Sequence, residues 1–175
     1  MNTVESRIAI SGKSGCGNTT VSKLLAESLN LRFINFTFRT LAVEHGITFE
    51  EVLKRAKTDD YWDRTVDERQ VAMARQAGGC VLGSRLAIWM LPEADLKVYL
   101  RASADTRAAR IQKRENGDLE SIKAFTAERD RQDSDRYRRL YQIDNDDYSQ
   151  ADLVIDTDAI GPDEIVQRII KRLED

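Results

Sequence analysis

The chain has 175 residues, of which 41% are hydrophobic and 33% are charged, and its formal net charge is −3. A chain of this length buries enough apolar surface to fold as a single domain, residues 1–175, without disulfide or metal staples. The mildly acidic balance lacks the basic excess of a typical nucleic-acid-binding protein. No apolar run reaches the length of a membrane span.

The cysteine pattern and the N-terminal sequence favour the cytoplasm. The two cysteines, Cys16 and Cys80, lack the spacing of a metal-binding pair. The first residues do not resemble a signal peptide. We therefore expect a cytoplasmic monomer that binds neither nucleic acid nor membranes.

Predicted strands and helices alternate along the chain. Strands are predicted at 8–10, 31–35, 80–83, 96–100 and 153–155, and helices at 21–29, 36–45, 48–57, 59–76, 103–114 and from 162 onward. Gly46 and the pair Gly78-Gly79 end helices, Ser103 caps one and Pro162 opens the last. The alternation predicts an α/β fold with a five-stranded parallel sheet and helices on both faces.

A glycine-rich turn joins the first strand to the first helix. The P-loop template G-x-x-x-x-G-K-[ST] is met at Gly12, Gly17 and Thr19, but Asn18 occupies the lysine position. Backbone N–H groups in such a turn point inward around an anion, and the helix N-terminus adds its dipole. The alternative is a turn that binds nothing, but the strand before it and the helix after it favour phosphate binding.

We predict that this loop binds ATP and that the Thr19 hydroxyl contacts Mg²⁺. The loop residues assigned to ATP are Gly12, Lys13, Ser14, Gly15, Cys16, Gly17, Asn18, Thr19 and Thr20. Lys13 lies inside the loop, five residues before Asn18, and resembles the extra lysine of deviant Walker A loops. We predict that it replaces the missing lysine as a catalytic phosphate contact. The alternative is that Lys13, like Lys23 on the following helix, is a solvated surface residue.

Three arginines are predicted to converge at the same edge of the sheet. Arg39 follows the second strand, Arg64 lies in the long helix and Arg85 follows the third strand. The planar guanidinium group suits phosphate oxygens. Each arginine alone is more often a surface residue, but together they indicate an acceptor that carries a phosphate.

The segment from 118 to about 141 is densely charged and has little apolar periodicity. One interpretation is a solvated helical face. The other is a helical lid over about 115–141 that carries arginines over the reacting group and excludes water. The excess of charge over apolar anchors agrees with a segment that closes only on substrate.

The chain resembles cytidylate kinases of the short archaeal type, within the P-loop nucleoside monophosphate kinases. The resemblance covers nearly the whole chain, at 8–25, 38–42, 67–70, 85–90, 128–136, 141–144, 152–157 and the last helix. It implies an ATP-dependent enzyme that transfers the γ-phosphoryl group to CMP or dCMP, with Mg²⁺ as cofactor.

The resemblance also implies roles for individual arginines. Arg39, Arg64 and Arg85 look like contacts to the acceptor phosphate and the cytosine pocket. Arg129 looks like a catalytic lid arginine near the migrating phosphoryl group.

Two further pairs have implied roles. Asp133 and Arg136 look like the sugar-contacting pair, and Arg136 is also assigned to catalysis. Arg110 and Arg114 look like the arginines that stack on adenine and bind the ATP phosphates.

The sequence departs from the family pattern at two positions. Asn18 replaces the loop lysine, and Gly83 stands where relatives place an acid that orients the water shell of Mg²⁺. Losing one such preorganised group typically raises the barrier by about 2.7–4 kcal/mol. Either Lys13 compensates, or the chain is a nucleotide-binding module with weak or lost transfer. A kinase for another small acceptor is a third reading.

Overall fold

The computed structural model describes residues 5–175, and within them the chain forms a parallel sheet flanked by helices. The strands are β1 (Arg7–Ser11), β2 (Arg32–Ile34), β3 (Cys80–Gly83), β4 (Leu96–Arg101) and β5 (Leu153–Asp156). The helices are α1 (Asn18–Leu29), α2 (Phe38–His45), α3 (Phe49–Arg55), α4 (Tyr61–Ala74), α5 (Ala87–Met90), α6 (Ala104–Glu115), α7 (Leu119–Tyr141) and α8 (Pro162–Glu174).

The five strands form one sheet in the order β2-β3-β1-β4-β5, with every neighbouring pair parallel. The central strand β1 is buried on both faces, as a parallel sheet with helices on both sides requires. Ile8 and Ile10 pack with α1 and α8, whereas Ala9 packs on the other face with residues of α4 and α5. The predicted α/β architecture is confirmed.

Helix α2 begins two residues later than the sequence pattern predicts, because Thr37 caps it. The Thr37 hydroxyl accepts a hydrogen bond from the Thr40 N–H, and the Thr40 hydroxyl accepts one from the Thr37 N–H. This reciprocal pair satisfies two N–H groups at the helix start. Gly46 ends the helix with φ of 62°, in the left-handed region, as predicted.

The short helix α5 was not predicted, because it spans only four residues between β3 and the turn at Pro92. Its position is tied to β1, since the Ile88 N–H donates to the Ser11 hydroxyl over 3.1 Å. Helices α2, α3 and the start of α4 form a separate apolar cluster around Leu41, Val52 and Trp62. This cluster builds one wall of the cavity described below.

Helix α7 is unevenly anchored along its length, which corrects the expectation that the whole charged segment has little to bury. Its second half buries Asp133, Arg136 and Tyr137, whereas Thr126 is the buried residue of its first half. Phe125 in that first half is 60% exposed. Among residues 5–175, none of the helices combines the length and apolar composition that crossing a membrane demands.

Candidate active site

A cavity of about 930 Å³ lies at the carboxyl edge of the sheet, between the glycine-rich loop and helices α2, α3, α4 and α7. Nearly all of the sequence-predicted site residues line it. They are Gly12, Lys13, Ser14, Gly15, Cys16, Gly17, Asn18, Thr19, Thr20, Arg39, Arg85, Arg110, Arg114, Arg129 and Arg136. Of the predicted residues, Asp133 lies just behind the cavity wall and Arg64 lies away from it.

The glycine-rich loop has the conformation that phosphate binding requires. Gly15 and Gly17 have φ of 84° and 102°, values that favour glycine. A Cβ at Gly15 would lie 2.9 Å from the Cβ of Arg107. Helix α1 begins directly after Gly17 without a side-chain cap, so its first N–H groups have no side-chain acceptor. They are available to an anion.

Two arginines of α6 hold this loop in place. Arg107 Nη1 donates to the Ser14 carbonyl oxygen over 3.1 Å, and its Nη2 lies 2.7 Å from a carboxylate oxygen of Asp130 on α7. Arg110 donates to the carbonyl oxygens of Gly15 and Cys16, both at 3.4 Å. Arg110 therefore lines the cavity but positions the loop, a role that the sequence did not predict.

Arg107 was not predicted as a site residue. It lies three positions before Arg110, and the two share one face of α6. That spacing is the signal that could have identified it. Its buried ion pair with Asp130 also connects the phosphate loop to α7.

Asn18, in the lysine position, braces the loop instead of supplying a charge. Its Nδ2 donates to the Gly12 carbonyl oxygen over 2.6 Å. Its Oδ1 is buried and has no hydrogen-bond partner among the described residues. The side chain thus closes the loop on itself, and the positive charge must come from elsewhere.

The Lys13 ammonium group lies at the cavity, 2.5 Å from a carboxylate oxygen of Asp146 in the turn after α7. The Lys13 side chain is 26% exposed and that of Asp146 is 58% exposed. Ion pairs this accessible contribute about 0–1 kcal/mol. A bound polyphosphate can therefore compete with Asp146 for this ammonium group.

Gly83 has no room for an acid. A Cβ at this position would lie 2.8 Å from the Cβ of Ser22 on α1, and closer still to its hydroxyl oxygen. Within residues 5–175, no three His, Cys, Asp or Glu side chains cluster as metal ligands. The exposed Thr19 at the start of α1 offers one oxygen ligand. That fits a Mg²⁺ ion held mainly by nucleotide phosphates and water.

A buried network of charges forms the wall opposite the loop. Asp133 lies 3.2 Å from Arg85 and 2.5 Å from Arg136, and Arg136 also lies 3.1 Å from Asp63 on α4. Burial raises the pKa of Asp63 even though Arg136 opposes the shift. The network fixes the two guanidinium groups in orientation, so Asp133 acts here as a positioning residue.

Arg129 carries a half-buried positive charge without a carboxylate partner in an ion pair. It forms no ion pair with a described residue, and its Nε has no hydrogen-bond partner. Burial and the like charge of Arg85 lower the pKa of its guanidinium group to about 10, so it stays charged at neutral pH. The Phe49 ring lies 5.5 Å from its guanidinium carbon, and Asp133 attracts the charge without forming an ion pair with it. A half-buried cation that lacks an ion pair and lines a cavity favours binding of an anion.

Arg39 lies at the mouth of the cavity, with its guanidinium carbon 4.1 Å from the ring centroid of Phe49. Arg64, by contrast, is exposed on another side of α4, 5.8 Å from the ring centroid of Tyr141. The expectation that Arg64 joins the acceptor site is corrected. One residue of an α-helix turns the side chain by about 100°, and Asp63 faces the cavity in its place.

The sequence interpretation missed three polar residues of α4 that line the cavity. Asp63, Asp67 and Gln70 recur at positions i, i+4 and i+7, which places them on one face of the helix. Asp67 accepts a hydrogen bond from the Tyr141 hydroxyl over 2.7 Å, and the Gln70 amide donates to the Phe36 carbonyl oxygen. The spacing was visible in the sequence, next to the apolar stripe of the same helix.

Solved structures share this fold. Shikimate kinase from Acinetobacter baumannii aligns with a TM-score of 0.64 and 18% identity, covering 95% of this chain and 92% of that one. Deoxyadenosine kinase from M. mycoides aligns with a TM-score of 0.59 and 17% identity, covering 97% and 100%. With its glycine-rich loop between β1 and α1, the chain has the P-loop NTPase fold that the sequence predicted.

Several relatives found by sequence are more similar to this chain in sequence than these solved structures are. Cytidylate kinase 2 of Borreliella burgdorferi is 47% identical over 167 residues, covering 93% of this chain and 92% of the relative. Cytidylate kinase of Methanocaldococcus jannaschii is 41% identical over 176 residues, covering 95% and 98%. The profile of the cytidylate kinase-like family matches residues 7–159. The chain belongs to the cytidylate kinase-like family, and the resemblance seen in the sequence is confirmed.

Proposed function

We propose that the protein transfers the γ-phosphoryl group of ATP to CMP or dCMP, giving ADP and CDP or dCDP. The observation that carries the proposal is the half-buried charge of Arg129, which lacks an ion pair and lies near Arg85 in the cavity that the phosphate loop also lines. A cavity with an anion site on both walls suits two phosphate-bearing ligands. Relatives named cytidylate kinase favour transfer over a binding module without activity.

The residues act by position and charge. The loop N–H groups hold the ATP phosphates, Lys13 contacts the phosphoryl group mainly as it migrates, and Arg39, Arg85 and Arg136 hold the acceptor. Phosphoryl transfer needs little covalent chemistry from the protein, so alignment and charge stabilisation account for most of the catalysis. Mg²⁺, with Thr19 as its protein ligand, would neutralise charge on the phosphate oxygens.

An ADP-release assay with a panel of nucleoside monophosphates tests the proposal. Turnover should be fastest with CMP or dCMP. Binding of ATP without ADP release for any acceptor would instead support the binding module. Release with a non-nucleotide acceptor would support the third reading, a kinase for another small molecule.

Replacing Arg39 by alanine should raise the KM for CMP by about 10-fold, because a partly exposed charged hydrogen bond contributes at the lower end of about 1.5–3 kcal/mol. The Kd for ATP should stay unchanged. Arg75→Ala is the control, since Arg75 is also exposed but pairs with Glu93, and neither of these residues lines the cavity. Equal KM values for CMP in the two variants would remove Arg39 from the site.

We also propose that α7 and the turn before it form a lid, approximately residues 115–141, on a single domain. Because its first half has few buried side chains, residues 116–125 should open at low free-energy cost in the free protein. Amide hydrogen exchange there should be fast, and it should slow when a bisubstrate analogue binds. Residues 130–141 should be protected in both states. Exchange at 116–125 that is unaffected by the analogue would rule out a lid.

We further propose that the protein works as a cytoplasmic monomer, without a nucleic-acid or membrane partner. The side chains assigned to the two nucleotides come from one chain and meet in one cavity. Light scattering should therefore give a mass near 19.9 kDa.

A further inference from the structure

Arg107 and Asp130 lie outside the cavity, but each is directly connected to a residue that lines it. Arg107 Nη1 donates to the Ser14 carbonyl oxygen over 3.1 Å, and Ser14 lines the cavity. Asp130 follows Arg129 on α7, and Arg129 lines the same cavity. Arg107 Nη2 lies 2.7 Å from a carboxylate oxygen of Asp130. One guanidinium group thus joins the phosphate loop to the residue next to Arg129.

This connection is tightly packed at the loop and withdrawn from solvent at the ion pair. A Cβ at Gly15 would lie 2.8 Å from the Arg107 carbonyl oxygen, so the loop rests directly on the backbone of α6. The side chains of Arg107 and Asp130 are 9% and 14% exposed, and salt therefore screens their attraction little. Removing one partner of such a pair is costly, because the other charge is left buried. The connection therefore holds α7 at a fixed distance from the loop.

Asp130 lies where the packing of α7 changes. Before it, a second cavity of about 230 Å³ lies between the end of α6 and the first half of α7, lined in part by Ile111 and Phe125. Lys123 pairs with Asp105 of α6 over 2.9 Å in this half, but Asp105 is 83% exposed, and such pairs contribute about 0–1 kcal/mol. The ion pair of Asp130 with Arg107 therefore fixes α7 to α6 directly beside Arg129.

We propose that Arg107 and Asp130 are positioning residues for phosphoryl transfer: their ion pair holds Arg129 at a fixed distance from the phosphate loop. The inference rests on the proposed function, since it takes Arg129 as a group that stabilises the migrating phosphoryl group. Neither Arg107 nor Asp130 lines the cavity, so both act through other residues. A displacement of about 1 Å can cost about 100-fold in rate. Loss of the ion pair should therefore lower kcat while both nucleotides still bind.

The first experiment compares kcat and the separate calorimetric Kd values for ATP and CMP in the wild type, Asp130→Asn and Arg139→Ala. Asparagine keeps the size of the side chain but removes the charge that Arg107 contacts. We expect Asp130→Asn to lower kcat by about 10- to 100-fold and to change either Kd by less than about 3-fold. Arg139→Ala breaks another ion pair of α7, with Asp60, and neither of these residues lines the cavity. It should leave kcat unchanged. An unchanged kcat in folded Asp130→Asn overturns the inference.

The second experiment repeats Asp130→Asn in the Arg129→Ala background. If the ion pair acts through Arg129, little is left to remove, and kcat should fall by less than about 2-fold further. Losses that multiply would mean that the pair only supports the fold of the loop, which also overturns the inference.

Arg107→Lys supplies the same double-mutant cycle with a milder change, and it decides the question if Asp130→Asn does not fold. Lysine keeps the buried charge, but its ammonium group cannot span Ser14 and Asp130 as the planar guanidinium fork does. We expect Arg107→Lys to lower kcat when Arg129 is present and to have little further effect in the Arg129→Ala background. An unchanged kcat when Arg129 is present, or equal losses in both backgrounds, would contradict the proposal.

A bisubstrate analogue, in which adenosine and cytidine are joined by a chain of phosphates, gives a readout without turnover. Asp130→Asn should raise its Kd by about 10-fold or more when Arg129 is present, and by less than about 2-fold in the Arg129→Ala background. This pattern in a protein that releases no ADP with any acceptor rejects the proposed function alone. Turnover of CMP with losses that multiply rejects this inference alone.

Discussion

Replacing Lys13 by alanine should lower kcat by about 100-fold or more, while the Kd for ATP changes little. Lys13 is the one lysine of the loop. Asn18, which occupies the usual lysine position, is uncharged and donates a hydrogen bond to the Gly12 carbonyl oxygen. A group that follows the migrating charge acts mainly in the transition state, where its loss typically costs about 2.7–4 kcal/mol. Steady-state kinetics together with equilibrium binding of ATP separate the two effects.

Two further variants control this experiment. Lys23→Ala removes an exposed lysine of α1 that pairs with Glu27, and it should leave kcat unchanged. Asp146→Asn releases Lys13 from its ion pair and should leave kcat unchanged or raise it. A Lys13→Ala enzyme that turns over like the wild type would show that Lys13 is a surface residue.

Replacing Arg129 by alanine should lower kcat by about two to three decades, because its half-buried charge faces the reacting groups in a site of low polarity. The thermal stability of the Arg129→Ala variant should not fall along with its activity. Removing a buried charge that lacks an ion pair relieves a desolvation cost. We therefore expect the Tm to stay level or rise, as measured by thermal unfolding without nucleotide.

Arg131→Ala is the matched control for Arg129. Arg131 lies two positions further along α7, is exposed, and pairs with Glu128. Its loss should change neither kcat nor Tm measurably. If Arg129→Ala loses stability and keeps its activity, Arg129 is a structural residue and the anion site lies elsewhere.

The fold was predictable because its signals are local. Each strand is a short apolar run, and most loops hold a glycine, proline or capping residue that marks a boundary. The phosphate loop needs no distant contact to be identified, since its glycines and the following helix are contiguous in the chain. Helix boundaries differ from the predicted ones where a side chain sets them. Thr37, for example, caps α2 and so fixes its start.

The site was harder to predict, because charged helices do not show which face turns inward. Arg64 and Asp63 are neighbours in the sequence, yet only Asp63 reaches the cavity. Likewise Arg129 and Arg131 read alike in a run of charges, but one is half-buried and the other exposed. Which face is buried depends on the packing of α7 against α6 and α4, and these contacts join residues far apart in the chain.

The contact between Gly83 and Ser22 limits the order in which an acid could be introduced beside the phosphate loop. A carboxylate at position 83 would collide with the Ser22 side chain, down to its Cβ. Glycine must therefore first replace Ser22 in the interior of α1, at a helix-propensity cost of about 1 kcal/mol. In the reverse order, the new side chain at position 83 would meet the Ser22 side chain before the space is cleared. Introducing that acid therefore takes two substitutions in a fixed order, with a mildly destabilised intermediate that brings no catalytic gain of its own.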